Sequence, residues 1–195
     1  MHPAGVASVA ARRTLLDSAW GRKRAMATGS STQITKQRGE YLVAAELGKF
    51  GYFAATFSGS VPDFDIVAVD QDGRSVVCQV KAIAGPSWQF DARKFLEIEH
   101  DGPAQRVVAA QTLRFPDMPW VMVKLDDEGP PIYYVLRHRD VQAVVRTRYT
   151  TMLEKHGGVR PKNSLSTHTA IWPKDIETFR EKWTLIEASL GTVPS

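Results

Sequence analysis

Apolar and polar positions follow spacings that predict helices and strands along most of the chain. The first strong pattern is an apolar stripe at helical spacing, formed by Val43, Ala44, Leu47 and Phe50. It predicts a helix over 35–50. Thr35 is suited to cap the start of this helix, and Gly51 to end it in a left-handed conformation. A short strand is expected over 53–57.

Two segments with apolar residues on both faces predict a central hairpin. They span 64–70 and 75–83 and flank the turn sequence Gln-Asp-Gly-Arg at 71–74. Strands that are apolar on both faces usually lie in the middle of a sheet. We therefore expect this hairpin inside the sheet rather than at its edge.

The rest of the chain alternates between further strands and helices. In order, the pattern indicates an element around 90–98, a break at 101–103, strands at 119–125 and 131–136, a helix at 140–155 ended by Gly157 and Gly158, and a last helix at 173–185. Together these elements predict an α/β class domain over 35–195, with helices around one sheet.

The first 34 residues differ in composition from the rest. They hold five basic residues and one acidic residue, so the net charge of +4 lies in them, and the other 161 residues hold 20 of each sign. The Gly, Ser and Thr residues of 27–32 favour a linker. We interpret 1–34 as a flexible basic N-terminal extension; a targeting peptide, or a natural start at Met26, is the alternative.

Cysteine content and hydropathy exclude several classes of protein. Cys78 is the single cysteine, which excludes a disulfide framework and a multi-cysteine zinc site. No apolar run approaches the roughly 18 residues of a membrane span. We therefore expect a cytoplasmic protein in a reducing environment, without membrane association, and expect Cys78 in the core.

Three polar residues interrupt the strands of the hairpin: Asp65, Gln79 and Lys81. Such groups cost free energy inside a sheet unless they satisfy one another or a ligand. A three-residue loop over 71–73 would place Asp65 opposite Gln79, and Asp63 opposite Lys81, on one face. A two-residue loop would place Gln79 and Lys81 on the other face from Asp65. We prefer the longer loop because it also brings apolar residues together on the opposite face.

These residue types suit a divalent cation and a phosphate. Asp65 and the carbonyl oxygen of Gln79 are the oxygen ligands that Mg²⁺ or Mn²⁺ prefers. Glu40 lies on the apolar stripe of the first helix, and if that helix packs on the same sheet face, Glu40 joins them directly or through water. Lys81 is suited to stabilise phosphate charge or to orient a water molecule. The alternative is a structural ion pair with an amide partner.

The hairpin resembles a known family of nucleases. The residues that carry the resemblance are Gly39-Glu40, Pro62-Asp63, Asp65, Gln79 and Lys81. They resemble the PD-(D/E)xK restriction-endonuclease-like superfamily in its QxK form, over roughly 35–83. The resemblance implies a restriction-endonuclease-like mixed central β-sheet flanked by helices, and metal-dependent cleavage of phosphodiester bonds in DNA.

The resemblance also assigns a role to each catalytic candidate. It implies that Asp65 is the principal metal ligand, that Gln79 occupies the usual acidic ligand position, that Glu40 assists metal or water binding, and that Lys81 is the catalytic lysine. Asp63 is the literal aspartate of the motif, but Asp65 stands better opposite Gln79. Gln79 departs from the family pattern, because an amide in place of a carboxylate removes one negative charge from the site.

A basic segment and one tryptophan are candidates for nucleic-acid binding. Residues 137–162 hold seven basic and two acidic side chains, with Tyr149 interleaved. Arg146, Tyr149 and Lys155 are candidates to line a phosphate-binding face, and Arg146, Arg148 and Lys155 are the candidates for nucleic-acid binding. The alternative is an ordinary solvated helix. Trp88, in a Gly/Pro/Ser context after the hairpin, is the best candidate for stacking on a base; the alternative is a core position.

Three functional hypotheses follow. The first is a Mg²⁺- or Mn²⁺-dependent endonuclease that acts on DNA, or on RNA, with a homodimer as the arrangement that would cut both strands. The second is the same fold with a weakened site, which binds nucleic acid or a protein partner without cleavage. The third is a small accessory protein, for which the sequence offers no positive feature.

Overall fold

The computed structural model describes residues 28–57, 63–126 and 129–191. From Ile34 onward the chain forms one compact unit. Its elements are α1 (Thr28–Lys49), β1 (Phe53–Thr56), β2 (Ile66–Val69), β3 (Ser75–Ile83), β4 (Trp88–Asp91), β5 (Leu96–Asp101), β6 (Ala104–Ala110), β7 (Pro119–Lys124), β8 (Ile132–Arg137), α2 (His138–Lys155), β9 (His168–Ile171) and α3 (Thr184–Glu187).

The main sheet is mixed and has five strands in the order β1-β2-β3-β7-β8. The β3–β7 pair is parallel, and the other three pairs are antiparallel. The strand with apolar residues on both faces, β3, lies at the centre, as the sequence predicted. A mixed central sheet with flanking helices confirms the predicted α/β fold class. Two smaller antiparallel pairs, β4–β9 and β5–β6, lie outside this sheet.

The predicted register of the central hairpin is confirmed. Ile66 pairs with Cys78, which places Asp65 opposite Gln79. The backbone N–H of Asp70 donates to the carbonyl of Arg74 at 2.9 Å, so the loop has three residues. Gly73 ends that loop with a φ of +80°, a conformation in which glycine carries no steric penalty.

The sheet separates two hydrophobic cores. One core holds α1 and the even-numbered side chains of the hairpin; its buried members include Val43, Leu47, Ile66, Cys78, Val80, Val121 and Val135. The other packs α2 and β4 on the opposite face; its buried members include Trp88, Met122, Tyr134, Leu136, Val141, Val145 and Tyr149. Cys78 is buried in the first core, as expected, and burial raises the pKa of its thiol to about 12.

Helix α1 approaches β3 very closely at one glycine. A Cβ built on Gly39 would lie 2.4 Å from the Cβ of Ala82, so only glycine fits without a shift. Ala82 and Val80 point to the face opposite Gln79 and Lys81, because side chains alternate along a strand. The condition set for Glu40, that α1 packs on the face of Gln79, is therefore not met. Glu40 is instead linked to Asp65 by a lysine of α1 that contacts both carboxylates, as described below.

Helix α1 begins earlier than the sequence pattern indicates. It starts at Thr28, so Thr35 is not its cap, and the part of the predicted linker at 28–32 is helical. Serine and threonine are poor helix formers but do not break a helix. Their cluster was therefore predicted to be a linker, although it is helical. Residues 1–27 lie outside the described residues. Gly51 ends the helix as predicted, with a φ of +87°.

The predicted last helix over 173–185 is wrong. The chain instead forms two 3-10 turns, Pro173–Asp175 and Glu177–Phe179, before the single turn of α3. Two local features break a longer helix. Arg180 is in the extended region, with a φ of −61° and a ψ of +129°, and Glu181 has a φ of +52°, so both residues lie outside the right-handed helical region.

Two strand pairings, β4–β9 and β5–β6, were not predicted. The segment around 90–98 divides into β4, a 3-10 turn and β5, and β6 and β9 pair with them across long or short loops. None of the described helices combines the length and apolar content that a membrane-spanning helix needs.

Candidate active site

The candidate site lies where β2 separates from β3. The register between β2 and β3 reaches Ile66 and Cys78, whereas the register between β3 and β7 runs from Gln79 to Ile83. Asp65 is thus the residue immediately before β2, beside the part of β3 that carries Gln79 and Lys81. The end of an antiparallel pair is a position where polar side chains can face a ligand without disrupting the sheet.

Asp65 is held at this position by three residues of β3. Its Oδ2 accepts a hydrogen bond from the backbone N–H of Val80 at 2.8 Å and another from the Gln79 amide nitrogen. Its own backbone N–H donates to the carbonyl of Cys78 at 2.9 Å. The side chain is only 10% exposed. The carboxylate is therefore oriented by the strand, with Oδ1 directed away from these bonds.

Glu40 and Asp65 meet through a lysine of α1. Lys36 Nζ lies 3.2 Å from Glu40 Oε1 and 3.4 Å from Asp65 Oδ1. The two oxygens are therefore at most 6.6 Å apart, the sum of these distances. The Glu40 side chain is 10% exposed, like that of Asp65, whereas that of Lys36 is 43% exposed. Glu40 is a buried residue, in agreement with its predicted place on the core-facing stripe.

Lys36 remains protonated in this environment. Partial burial by itself would lower its pKa, but the contact of its ammonium with the Glu40 carboxylate and the charges of Asp65 and Glu40 together outweigh that effect and raise the pKa. Its ammonium group therefore supplies one positive charge between two carboxylates.

Lys81 lies on the same side of β3 as Gln79 but makes a different contact. Its Nζ lies 4.8 Å from the centre of the Phe90 ring, in a cation–π geometry. Burial lowers the pKa of Lys81, the charge of Lys94 lowers it further, and Asp65 acts in the opposite direction. The Lys81 ammonium is thus held in a low-dielectric position close enough to Asp65 and Lys94 to sense both charges.

Asp63 does not join this cluster, and its predicted position opposite Lys81 is wrong. The residue lies outside β2 with a φ of +76°, a conformation that aspartate tolerates better than most residues. Its carboxylate contacts the guanidinium of Arg114 at 3.4 Å and is 45% exposed. The register therefore stops before Asp63, which leaves Asp65 as the aspartate at the site.

The donor set at this point fits a hard divalent cation. Glu40 Oε1 is a buried atom without a hydrogen-bond partner in the described structure, apart from the ion-pair contact with Lys36. An orphaned carboxylate oxygen, a second carboxylate and an adjacent amide are the ligand types that Mg²⁺ takes, with water completing its shell. Within the described ranges no group of three or more His, Cys, Asp and Glu side chains is placed to hold a metal. The set therefore consists of two carboxylates and Gln79.

Trp88 does not offer a surface for base stacking. The residue is 0% exposed, its ring packs edge-on against Tyr134 with centroids 5.8 Å apart, and its Nε1 donates to the carbonyl of Lys81 at 2.7 Å. This corrects the prediction and supports the core alternative. Trp88 still affects the site, because its hydrogen bond fixes the backbone of β3 at Lys81.

The basic residues of α2 do not form one face. At about 100° per residue, Arg146 falls on one flank of the buried stripe of α2, and Arg148 and Lys155 fall on the other. Arg148 is also engaged: its guanidinium stacks 4.3 Å from the Trp172 ring, and its Nε lies 3.5 Å from Asp175. Tyr149, expected among them, is buried. The single phosphate-binding face is therefore wrong.

Arg146 and Lys155 are nevertheless exposed. Arg146 lines a cavity of about 400 Å³ between β6 and α2, together with Gln105 and Arg106. The residues that line this cavity do not include Glu40, Asp65, Gln79 or Lys81. A role of Arg146 or Lys155 in nucleic-acid binding stays a prediction.

Two residues near the site were missed by sequence reasoning: Lys36 and Lys94. For Lys36 a signal was available, since it lies four residues before Glu40, the spacing at which side chains of a helix interact. Lys94 lies in the 3-10 turn after β4, and only the fold brings its charge close to Lys81.

Comparison with known proteins leaves the family open. No protein-family model matches the chain, and no curated protein matches it. Among solved structures, the chain is similar to that of a bacterial homing endonuclease, with 15% identity and a TM-score of 0.46, over 82% of this chain and 95% of the other. A likeness of this size leaves the function to be argued from the residues themselves.

Proposed function

We propose that the protein is a metal-dependent nuclease, an endonuclease that hydrolyses phosphodiester bonds in DNA with Mg²⁺ or Mn²⁺ at Asp65, Glu40 and Gln79. The single observation that carries the proposal is the convergence of two buried carboxylates, Glu40 and Asp65, beside Gln79 at the open end of a hairpin. The residues match the short motif on which the resemblance to the PD-(D/E)xK superfamily rests.

Each residue of the site has a chemical task in this proposal. Asp65, oriented by Val80 and Gln79, and Glu40 would hold the cation through their carboxylate groups. When bound, the cation would polarise the phosphate and lower the pKa of an attacking water. Gln79 contributes its carbonyl oxygen once its amide turns, since the amide nitrogen now donates to Asp65.

Two lysines support phosphate as the substrate group. Lys81 and Lys94 repel one another enough to contribute to the lowered pKa of Lys81. A phosphate bound near Lys81 would be attracted by both positive charges. Lys81 would stabilise the charge that develops on the phosphate oxygens during attack by water.

The test is cleavage of supercoiled plasmid and of single- and double-stranded oligonucleotides, with Mg²⁺, with Mn²⁺ and with EDTA. We expect metal-dependent cleavage by the wild type and a rate lower by about 100-fold or more for Lys81→Met and for Asp65→Asn. Lys174→Met, which removes an exposed lysine outside the site, is the matched control and should cleave like the wild type.

Two outcomes would overturn the proposal. One is the absence of cleavage of every DNA and RNA form by a folded wild-type protein. The other is cleavage that persists unchanged in Asp65→Asn, because a contaminating nuclease or a different site would then be responsible.

The observed charge balance favours a second candidate function. With Lys36 between Glu40 and Asp65, and with the neutral Gln79 in place of an acid, the site is close to neutral without a metal. A nucleic-acid-binding module with a weakened site would have these features. It predicts binding that persists in EDTA and weakens steeply with salt, without cleavage. Binding that requires the metal would contradict this candidate.

A further inference from the structure

Lys36 occupies the position between the two carboxylates that a bound cation would also need. Its Nζ lies 3.2 Å from Glu40 Oε1 and 3.4 Å from Asp65 Oδ1. A divalent cation bound by the same two atoms would lie about 2.0–2.6 Å from each. The ammonium group and the metal ion cannot fill this space together.

The contacts of Lys36 are long for bonds between full charges. Charge-assisted hydrogen bonds to carboxylates are usually about 2.7–2.9 Å long, and both distances here are longer. Glu40 Oε1 gains no well-aligned hydrogen bond from the contact. Lys36 therefore neutralises the carboxylates without saturating them.

The side chain of Lys36 also has a route out of the site. It is 43% exposed, whereas both carboxylates are 10% exposed. A lysine side chain is long and flexible, and its ammonium is strongly hydrated in water. It can leave for solvent by rotation of its own side chain, without movement of α1 or β3.

From these observations we propose that Lys36 is a built-in competitor for the metal: it bridges Glu40 and Asp65 in the metal-free protein and is displaced when the divalent cation binds. This inference rests on the proposed function, because it takes Glu40 and Asp65 as the metal ligands. In this arrangement a positive charge always lies between the two carboxylates. The affinity for the metal is therefore set by the exchange of the Lys36 ammonium for the divalent cation.

The experiment is a direct measurement of Mn²⁺ affinity, by titration calorimetry and by the electron paramagnetic resonance signal of free Mn²⁺, without nucleic acid. The variant is Lys36→Met, which keeps most of the length of the side chain and removes its charge. Lys49→Met is the matched control, since Lys49 lies on the same helix and pairs with Glu46 at 2.7 Å. Lys36→Arg retains the charge and serves as a second test.

We expect Lys36→Met to bind Mn²⁺ about tenfold more tightly than the wild type, which corresponds to the removal of one ion-pair competitor. Lys49→Met and Lys36→Arg should not gain affinity. The rise in melting temperature upon addition of Mn²⁺ should also be larger for Lys36→Met, because its carboxylates repel one another without the metal. Circular dichroism establishes that each variant is folded.

The outcomes separate this inference from the proposed function. Equal Mn²⁺ affinity of Lys36→Met and the wild type, or weaker binding by the variant, overturns the role of Lys36 and leaves the metal site intact. A gain in affinity for Lys36→Arg as large as that for Lys36→Met also overturns it. No Mn²⁺ binding by any folded variant overturns the metal site itself, and the competitor with it.

Discussion

The close approach of α1 to β3 at Gly39 predicts that one added methyl group disturbs both stability and the site. In Gly39→Ala the new Cβ would lie 2.4 Å from the Cβ of Ala82. Two carbon atoms normally approach to about 3.5–4.0 Å, so helix and strand must separate by about 1 Å. The two other nearest atoms, the Ala82 Cα and a methyl of Val80, lie at ordinary distances of 3.6 and 3.7 Å.

The magnitude follows from two opposing effects. Overpacking of this kind costs about 1–3 kcal/mol, and the helix preference of alanine over glycine returns up to about 1 kcal/mol. We therefore expect the free energy of unfolding of Gly39→Ala to fall by about 1 kcal/mol. Gly48→Ala is the matched control, because a Cβ on Gly48 meets nothing within 4 Å. It should be neutral or more stable by up to about 1 kcal/mol.

The assay is urea unfolding followed by tryptophan fluorescence, together with Mn²⁺ titration of both variants. Because Glu40 and Lys36 move with α1, Gly39→Ala should also change the Mn²⁺ affinity, whereas Gly48→Ala should leave it as in the wild type. The double variant Gly39→Ala with Ala82→Gly removes the clash. It should show a favourable coupling of about 1 kcal/mol or more in a double-mutant cycle.

One result would refute this reasoning. If Gly39→Ala were as stable as Gly48→Ala, and the cycle with Ala82→Gly showed no coupling, the contact between Gly39 and Ala82 would not limit the approach of α1 to the sheet.

Three further predictions concern other parts of the molecule. Arg148→Ala should lower the free energy of unfolding by about 1–2 kcal/mol, because it loses its stacking and ion-pair contacts, whereas Arg146→Ala should stay within about 0.5 kcal/mol in the same urea assay. Trp88→Phe should lower it by about 1–3 kcal/mol, since the bond to the Lys81 carbonyl is lost and a cavity is left; a variant as stable as the wild type would contradict the core position of the tryptophan. Burial lowers the pKa of His138 below its usual 6.5, although its bond to the Phe115 carbonyl and the charge of Asp63 act in the opposite direction. The neutral imidazole therefore contributes to the stability of the fold above pH 6.5, and this contribution is lost as the pH falls through the lowered pKa. Unfolding measured from pH 7.5 to 5 should therefore show a smaller fall in stability for His138→Phe than for the wild type, and parallel curves would refute the assignment.

The hairpin could be predicted from the sequence because its information is local. The turn at 71–74 and the alternation on either side of it determine one register, and the structure has that register. The central place of β3 followed from its apolar residues on both faces. The burial of Glu40 followed in the same way from its spacing to Val43 and Ala44, three and four residues further along the helix.

Features that depend on distant parts of the chain could not be predicted in this way. Trp88 lies among polar and small neighbours in the sequence, and only the approach of Tyr134 makes it a core residue. Arg148 lies on a helix with many basic residues, and its ion-pair contact depends on Asp175, which lies in a later turn of the chain. Lys94 likewise reaches Lys81 only through the fold.

The face on which α1 packs is a further case. Sequence spacing identifies the buried side of a helix but not the face of the sheet that receives it. The small residues Gly39 and Ala82 allow α1 to approach this face closely, and they lie in distant segments of the chain. Glu40 and Asp65 then come together at the end of β2, and the alternation of side chains along the strands does not predict this.

The convergence of Glu40 and Asp65 on one divalent cation is tested most directly by a crystal of the protein soaked in Mn²⁺. We expect an anomalous-difference peak about 2.0–2.6 Å from Glu40 Oε1 and Asp65 Oδ1, with the Lys36 ammonium moved into solvent. At saturating Mn²⁺, a peak elsewhere in the molecule, or Lys36 still bridging the two carboxylates with no peak beside them, would contradict the metal site on which the proposed nuclease activity depends.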